Sequence, residues 1–232
     1  MALPKLDVPT YSITLPVSQQ DIRFRAFLVK EEKILLTGKE GSAKEQLQAM
    51  SQLLSNCVVS PEDFNPGELT MPDVEYLFIQ LRARSVQNVV ELKYKDKEDG
   101  KVYDFEVDLD EIYPTVHEDA EHQIQLNDKI GIELQMPTIN TMTKLDVDNM
   151  EDTENVYKLI AECTVKVWDD EQVYDDFTSK ELVTFLKEMD VKMFAKMKDF
   201  FEMAPKLEHE LHYTNSEGNA RTIKLEGISD FF

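Results

Sequence analysis

The chain has 232 residues, 42% of them hydrophobic and 31% charged, with a formal net charge of −21, and it is long enough to bury a core without metal or disulfide staples. A surface this negative repels phosphate backbones and forgoes counterion release, which excludes direct DNA or RNA binding; no apolar run approaches the ~18–20 residues of a membrane span. The opening MALPKLDVPTYS has no apolar stretch behind a charged start, so a cytosolic origin is expected, and Cys57 and Cys163, each inside an apolar helical pattern, are expected as buried free thiols.

In chain order, YSITLPV and IRFRAF alternate as a β-hairpin turning at SQQD, with Tyr11, Ile13 and Leu15 on one face and Ile22 and Phe24 opposed to Arg23 and Arg25. A helix is expected from about Lys30 to Lys39, closed by Gly41. Ser42 and Glu45 form a capping box for a second helix with the stripe Leu47, Met50, Leu53 and Leu54, ending near Cys57. SPEDFNPGELTMP, with three prolines and a glycine, is a loop. Asp73 after Pro72 is the expected N-cap of DVEYLFIQLRARSV, where Val74, Leu77, Phe78 and Leu81 fall at helical spacing while Tyr76 and Ile79 spread the apolar stripe around most of the circumference. Such a helix belongs at the centre of a domain.

Next, VVELKY and VYDFEVDL flank a charged turn with Asp99-Gly100, and QIQL and IGIELQM flank NDK; a four-stranded antiparallel meander is expected. Pro137 to Met150 loses periodicity and is the candidate linker. From Glu151 the chain is expected to be helical through NVYKLIAECTVKVW, interrupted by DDEQVYDDF. Thr178 with Glu181 caps the following helix, Asp190 starts VKMFAKMKDFFEM, Pro205 ends it, and LEHELHY with ARTIKLEGI makes a last hairpin. The pattern predicts an α+β protein in three parts: residues 1–88, hairpin and helices; 89–140, antiparallel meander; 151–232, helices with a terminal hairpin, able to share one core with 1–88. ELKY at 91–94 and ELHY at 210–213 each follow a helix and precede a Glu and Gly turn, so they are either one unit used twice at an offset of 119 or convergence on hairpin chemistry.

No phosphate loop, dinucleotide fingerprint, nucleophile elbow or zincin helix is present. His117 and His122 lie five apart, off a common helical face, and His209 and His212 point to opposite faces of a strand, so no metal site is expected from them. DVDNMEDTE, residues 146–154, lacks the glycine and the bidentate Glu of a calcium loop, and DDEQVYDD is expected as a polar interhelical loop. The acidic excess is uneven: residues 1–100 carry 12 basic and 15 acidic side chains, residues 101–232 carry 13 and 31. It either solvates the surface or steers the chain toward a basic partner. Four of five arginines form two R-x-R pairs. Arg82 and Arg84 diverge on a helix, one toward an internal acid and the other toward solvent, whereas Arg23 and Arg25 share a strand face and could grip a partner's carboxylate. Phe231 and Phe232 end the given sequence, either folded back onto the C-terminal helices or held by a partner.

LPVSQQDIRFRAFLVKEEKILL, MPDVEYLFIQLRARSV, LIAECTVKVWDDEQVYDDFTSKEL and FFEMAPKLEHELHY with KLEGISDFF resemble, in order, the small baseplate hub and hub-assembly protein family of T-even-like contractile-tailed bacteriophages. The resemblance implies a non-enzymatic protein without cofactor that helps build the baseplate hub of the phage tail. Its implied partners are other hub proteins or the tape measure protein, and it would work in the host cytoplasm during assembly or in the virion tail. Members of the family can carry cysteine pairs in the hairpins, as a metal-stapled turn would need; this chain has none there, and no metal residue is assigned. A chaperone for the hub or tape measure that stays out of the virion is one alternative, and a carboxylate-metal hydrolase is one of another class. Arg23, Arg25, Phe231 and Phe232 are the candidate partner-binding residues.

Overall fold

The computed structural model describes residues 7–39, 41–115 and 122–231. Strands β1 (Thr10–Thr14) and β2 (Asp21–Arg25) form the expected hairpin, with Ile13 opposite Ile22 and Tyr11 opposite Phe24. Helices α1 (Val29–Lys39) and α2 (Ala43–Cys57) follow, and β3 (Val58–Ser60) adds itself to the other edge of β2. The α2 capping box is present: Ser42 Oγ accepts from Glu45 N–H, and Glu45 returns its carboxylate to Ser42 N–H at 2.8 Å. Leu53, Leu54 and Cys57 of α2 pack with Ile22 and Phe24 of β2, and burial pushes the Cys57 thiol up to about 11, which keeps it protonated and inert.

Helix α3 (Met71–Ser85) has buried residues on nearly every side, because it is the wall between two cores. Val74, Leu77, Phe78 and Leu81 face the N-terminal hairpin and α2, whereas Ile79 and Ala83 face two later hairpins. Asp73 does not cap this helix, contrary to expectation. Pro72 is at home in a first turn, where its missing N–H is not needed, so the helix starts at Met71 with Thr70 as N-cap. That frees the Asp73 carboxylate, fully buried, to accept from Val17 N–H at 2.8 Å and Ser18 N–H at 2.9 Å, fastening the β1–β2 turn onto α3.

Strands β4 (Val89–Lys95) and β5 (Val102–Asp108) pair with Tyr94 opposite Tyr103, and short β6 (Pro114–Thr115) follows. Strands β7 (Gln123–Gln125) and β8 (Gly131–Leu134) pair with each other but not with β4 or β5, so the expected meander is two separate structures. The reason is that β8 buries Gly131, Ile132 and Leu134 and takes a neighbour on each edge. That neighbour comes from a stretch expected to be helical. After α4 (Ile139–Thr143), α5 (Thr153–Cys163) stops at Cys163, and the β-branched run TVKVW becomes β9 (Thr164–Trp168), with β10 (Val173–Tyr174) turning back on it. The sheet order is β10-β9-β8-β7.

Residues 137–150 are not a linker either. Ile139 and Leu145 are buried, Met71 N–H donates to Pro137 C=O at 3.1 Å, and Thr70 bridges Thr138. Periodicity was absent because α4 has only five residues, too few to show a stripe.

Helices α6 (Ser179–Lys187), with its Thr178–Glu181 capping box, and α7 (Val191–Glu202), capped by Asp190, close over β8 and β9. Ile132, Leu134, Ile160, Leu186, Met197 and Phe200 make this second core. Strands β11 (Lys206–Thr214) and β12 (Ala220–Glu226) form the last hairpin, whose edge also takes β6.

The β4–β5 and β11–β12 hairpins pack face to face through Val90, Val107, Leu207, Leu211 and Leu225, with Ile79 of α3 at the same core. Their tips are built alike. Asp96 and Asn215, 119 residues apart, each head a turn by accepting backbone N–H groups: Asp96 Oδ1 from Glu98 and Asp99, Asn215 Oδ1 from Glu217 and Asn219. Each turn contains a glycine at positive φ, Gly100 at 71° and Gly218 at 86°. The tips also hold each other. Tyr213 Oη donates to Asp96, Asn215 Nδ2 donates to Glu98 at 2.8 Å, and Ser216 N–H and Oγ donate to Asp99. The Tyr213 hydrogen bond, with turn N–H groups and Arg221 behind it, holds the Asp96 carboxyl below its usual range.

Since Asp73 is all that satisfies two turn N–H groups from the α3 side, Asp73→Ala is expected to cost about 2–4 kcal/mol in urea denaturation, against less than about 0.5 for exposed Asp63→Ala.

Candidate functional site

Alternation along β2 turns Asp21, Arg23 and Arg25 outward while Ile22 and Phe24 enter the first core. The two arginines share that face as expected but not a site. Arg25 lies over the start of α1 and the end of α2. Its Nη2 is 3.1 Å from Glu31 Oε1, its Nη1 3.4 Å from Glu31 Oε2, and it donates to Asn56 C=O at 2.8 Å and Ala26 C=O at 2.9 Å. Glu31, 1% exposed, also accepts from Leu28 N–H at 2.7 Å. Burial alone would raise its carboxyl; the Arg25 hydrogen bonds and the Leu28 N–H outweigh that and hold it below the usual range. The bidentate grip foreseen for a partner's carboxylate is therefore made inside the chain. The sequence conceals it because Glu31 lies six residues from Arg25 across a strand-to-helix turn, a spacing no periodicity marks.

Arg23 is different. It stands exposed at a bulge between β2 and β3, opposite Ser12 on one side and Ser60 on the other. Among the described residues it has no ion-pair partner. It lines a shallow hollow of about 550 Å³ with Ser12, Thr14, Asp21 and Ser60, in which Asp21 already accepts from Thr14 Oγ1 at 2.7 Å. The hollow presents one guanidinium among hydroxyls.

Arg82 and Arg84 diverge, as helical geometry requires. Arg84 pairs with Asp110 at 2.7 Å and lies over the Tyr11 ring, and Arg82 is half-buried. The C-terminal turn Ile228–Phe231 folds back, Ile228 packing against the first core and Asp230 accepting from Glu226 N–H at 2.8 Å. It thus rests on the core that β2 also covers, rather than on the C-terminal helices. Phe232 and His117 lie outside the described residues.

The other suspected chemistry is absorbed locally. Asp152 caps α5, Asp148 accepts from Ala43 N–H at 3.1 Å, and Asp146 accepts from Asn149 at 2.8 Å, so the calcium-like stretch spends its carboxylates on turns. His122 meets Phe200 edge-on, with Nδ1 3.0 Å from Leu134 C=O. Among the described residues no three His, Cys, Asp or Glu side chains are grouped as a metal site.

One carboxyl that sequence patterns did not single out is perturbed. Glu75 lies in a hollow of about 310 Å³ between the start of α3, Pro137, Pro205 and Gly227, where the N-terminal part meets the last hairpin. Burial pushes its pKa up to about 7, and no cation offsets it. Apart from Lys206 and Glu226, of opposite charge, the hollow is lined by apolar residues and glycine, and the burial bears on stability.

A family model described as T4 bacteriophage base plate protein matches residues 8–232. Comparisons with curated proteins and with solved structures each give no significant match.

Arg25→Ala, which leaves the buried Glu31 only the exposed Lys30 ammonium at 3.4 Å as a cation, is expected to cost about 3 kcal/mol in denaturant titration, whereas Arg23→Ala changes stability by less than about 0.5. Glu75 retains its proton in the folded state at pH values where the unfolded carboxyl, near 4.5, has lost it. Stability therefore falls as pH rises from about 4.5 through about 7, and Glu75→Gln is expected to flatten that fall and to stabilise the protein above pH 7 by roughly 1–3 kcal/mol in melts from pH 4 to 8.

Proposed function

The chain belongs to the T4 bacteriophage base plate protein family, and from that premise we propose that it is a subunit or assembly factor of the central hub of the tail baseplate. It acts through contacts with other hub proteins or the tape measure protein, in the host cytoplasm during assembly and, as a subunit, in the virion tail. It is not an enzyme in this reading. The observation that carries it is the family match over residues 8–232, which covers nearly all of the given sequence and supports a baseplate-related role. The structure is in keeping with a contact role: Arg25, Arg84 and Arg221 are tied to internal acids, while Arg23 faces outward on a strand anchored in the first core. Arg23, and with it the C-terminal turn containing Phe231, are the residues we propose for partner contact.

A phage carrying a deletion of this chain is expected to yield baseplates with incomplete hubs and no functional contractile tails; electron microscopy of lysates showing complete tails would refute the role. Mass spectrometry of purified particles separates its two forms, since stoichiometric presence marks a subunit and absence an assembly factor or chaperone.

A further inference from the structure

The stretch DDEQVYDDF, expected as a polar loop, is instead a β-turn and an edge strand beside an apolar groove. Asp169 N–H donates to Gln172 C=O at 3.0 Å, closing the turn, and Val173 and Tyr174 then pair with Trp168 and Val167. Strand β10 is the outermost of its sheet. Because Asp169 and Gln172 are a hydrogen-bonded pair, ladder alternation turns the N–H and C=O of Val173 away from β9, toward the open edge. Beside this edge is a groove of about 320 Å³, walled by Trp168, Tyr174 and Phe177 and floored by Ile130, Leu182 and Phe185. Trp168 keeps its place because Gly131 opposite it has no side chain; a Cβ there would overlap the indole.

The groove's own polar groups are already used. Glu181 is spent on the Thr178 cap, and Asp169 accepts from the N–H groups of Glu171 and Gln172 and from Tyr174 Oη at 2.9 Å. The rim is not. Asp170, Glu171, Asp175 and Asp176 are exposed, and among the described residues none of them is ion-paired. Between residues 169 and 186 there are six acids and one base, Lys180. Apolar walls, an open strand edge and a rim in which six acids outnumber the single Lys180 select one kind of occupant by charge and shape.

We propose that this groove binds an extended segment of another protein, carrying one large apolar side chain between lysines or arginines and pairing along β10. The inference deepens the contact role proposed above and rests on it for the partner's being a protein.

Trp168 is the sole tryptophan of the chain and stands in the groove wall, so its fluorescence reports occupancy directly. The full chain would be titrated with three synthetic peptides: one alternating leucine and lysine, one with glutamate for lysine, and one with serine for leucine. The expected result is a saturable Trp168 shift with the first peptide alone, weakened about fivefold or more by raising NaCl from 50 to 500 mM and about tenfold by Asp175→Lys with Asp176→Lys. These rim residues are exposed and make no internal ion pair, so the double variant folds, which its circular dichroism confirms. No saturable shift, an equal shift from the glutamate or serine peptide, or an unchanged affinity in the double variant would overturn the proposal. So would a Trp168 shift that tracks protein concentration without peptide, since the occupant would then be a second copy. Complete tails from phage lacking the chain would refute the hub role while leaving the titration as it is, so the two failures are distinct.

Discussion

Helix α3 has to be apolar almost all the way round because it serves two cores at once. Leu77, Phe78 and Leu81 complete the core under the N-terminal hairpin, and Ile79 and Ala83 complete the one between the two later hairpins. Burying a helix on both sides removes its freedom to shift, and whatever touches it inherits that rigidity. The β1–β2 turn is tied to it by Asp73, and residues 137–139 are stitched to its first turn by backbone hydrogen bonds. Arg84, near its end, reaches Asp110 beyond β5.

The charges have a related logic. In a chain of net charge −21, cations are scarce, and the bidentate ones are scarcest, with five arginines in all. Arg25 neutralises the buried Glu31, Arg84 meets Asp110, and Arg221 backs the Asp96–Tyr213 junction of the hairpin tips. Three of the five arginines are thus used in holding elements together, while lysines such as Lys95, Lys97 and Lys129 stay exposed beside a larger number of carboxylates. A protein arranged this way presents an exterior of net negative charge, with Arg23 as its outward-facing arginine on β2 and apolar hollows such as the one beside Trp168.

Much of the local structure was legible because it depends on neighbours in sequence. The capping boxes at Ser42 and Thr178, the cap at Asp190 and the hairpin turns at Gly100 and Gly218 need only three to six residues to declare themselves, and all are present. The repeated ELKY and ELHY match marks two turns built on the same Asx chemistry and mated tip to tip. What misled were elements decided by distant partners. TVKVW continues a helix by pattern but becomes a strand because β8 offers it an edge, and the five-residue α4 has no stripe to show. The candidate site was half legible for the same reason: alternation put Arg23 and Arg25 on one face, but nothing near Arg25 in sequence announced that Glu31 would fold under it.

If α3 is the shared wall, the N-terminal core and the paired hairpins cannot open separately. Native-state hydrogen–deuterium exchange measures this directly. Amides of α3 around Leu77 to Leu81, of α2 at Leu53 and Leu54, and of β4 and β11 at Val90 and Leu211 are expected to exchange with one common opening free energy, equal to that of global unfolding. Distinct, lower opening energies for the hairpins or for α3 itself would contradict it.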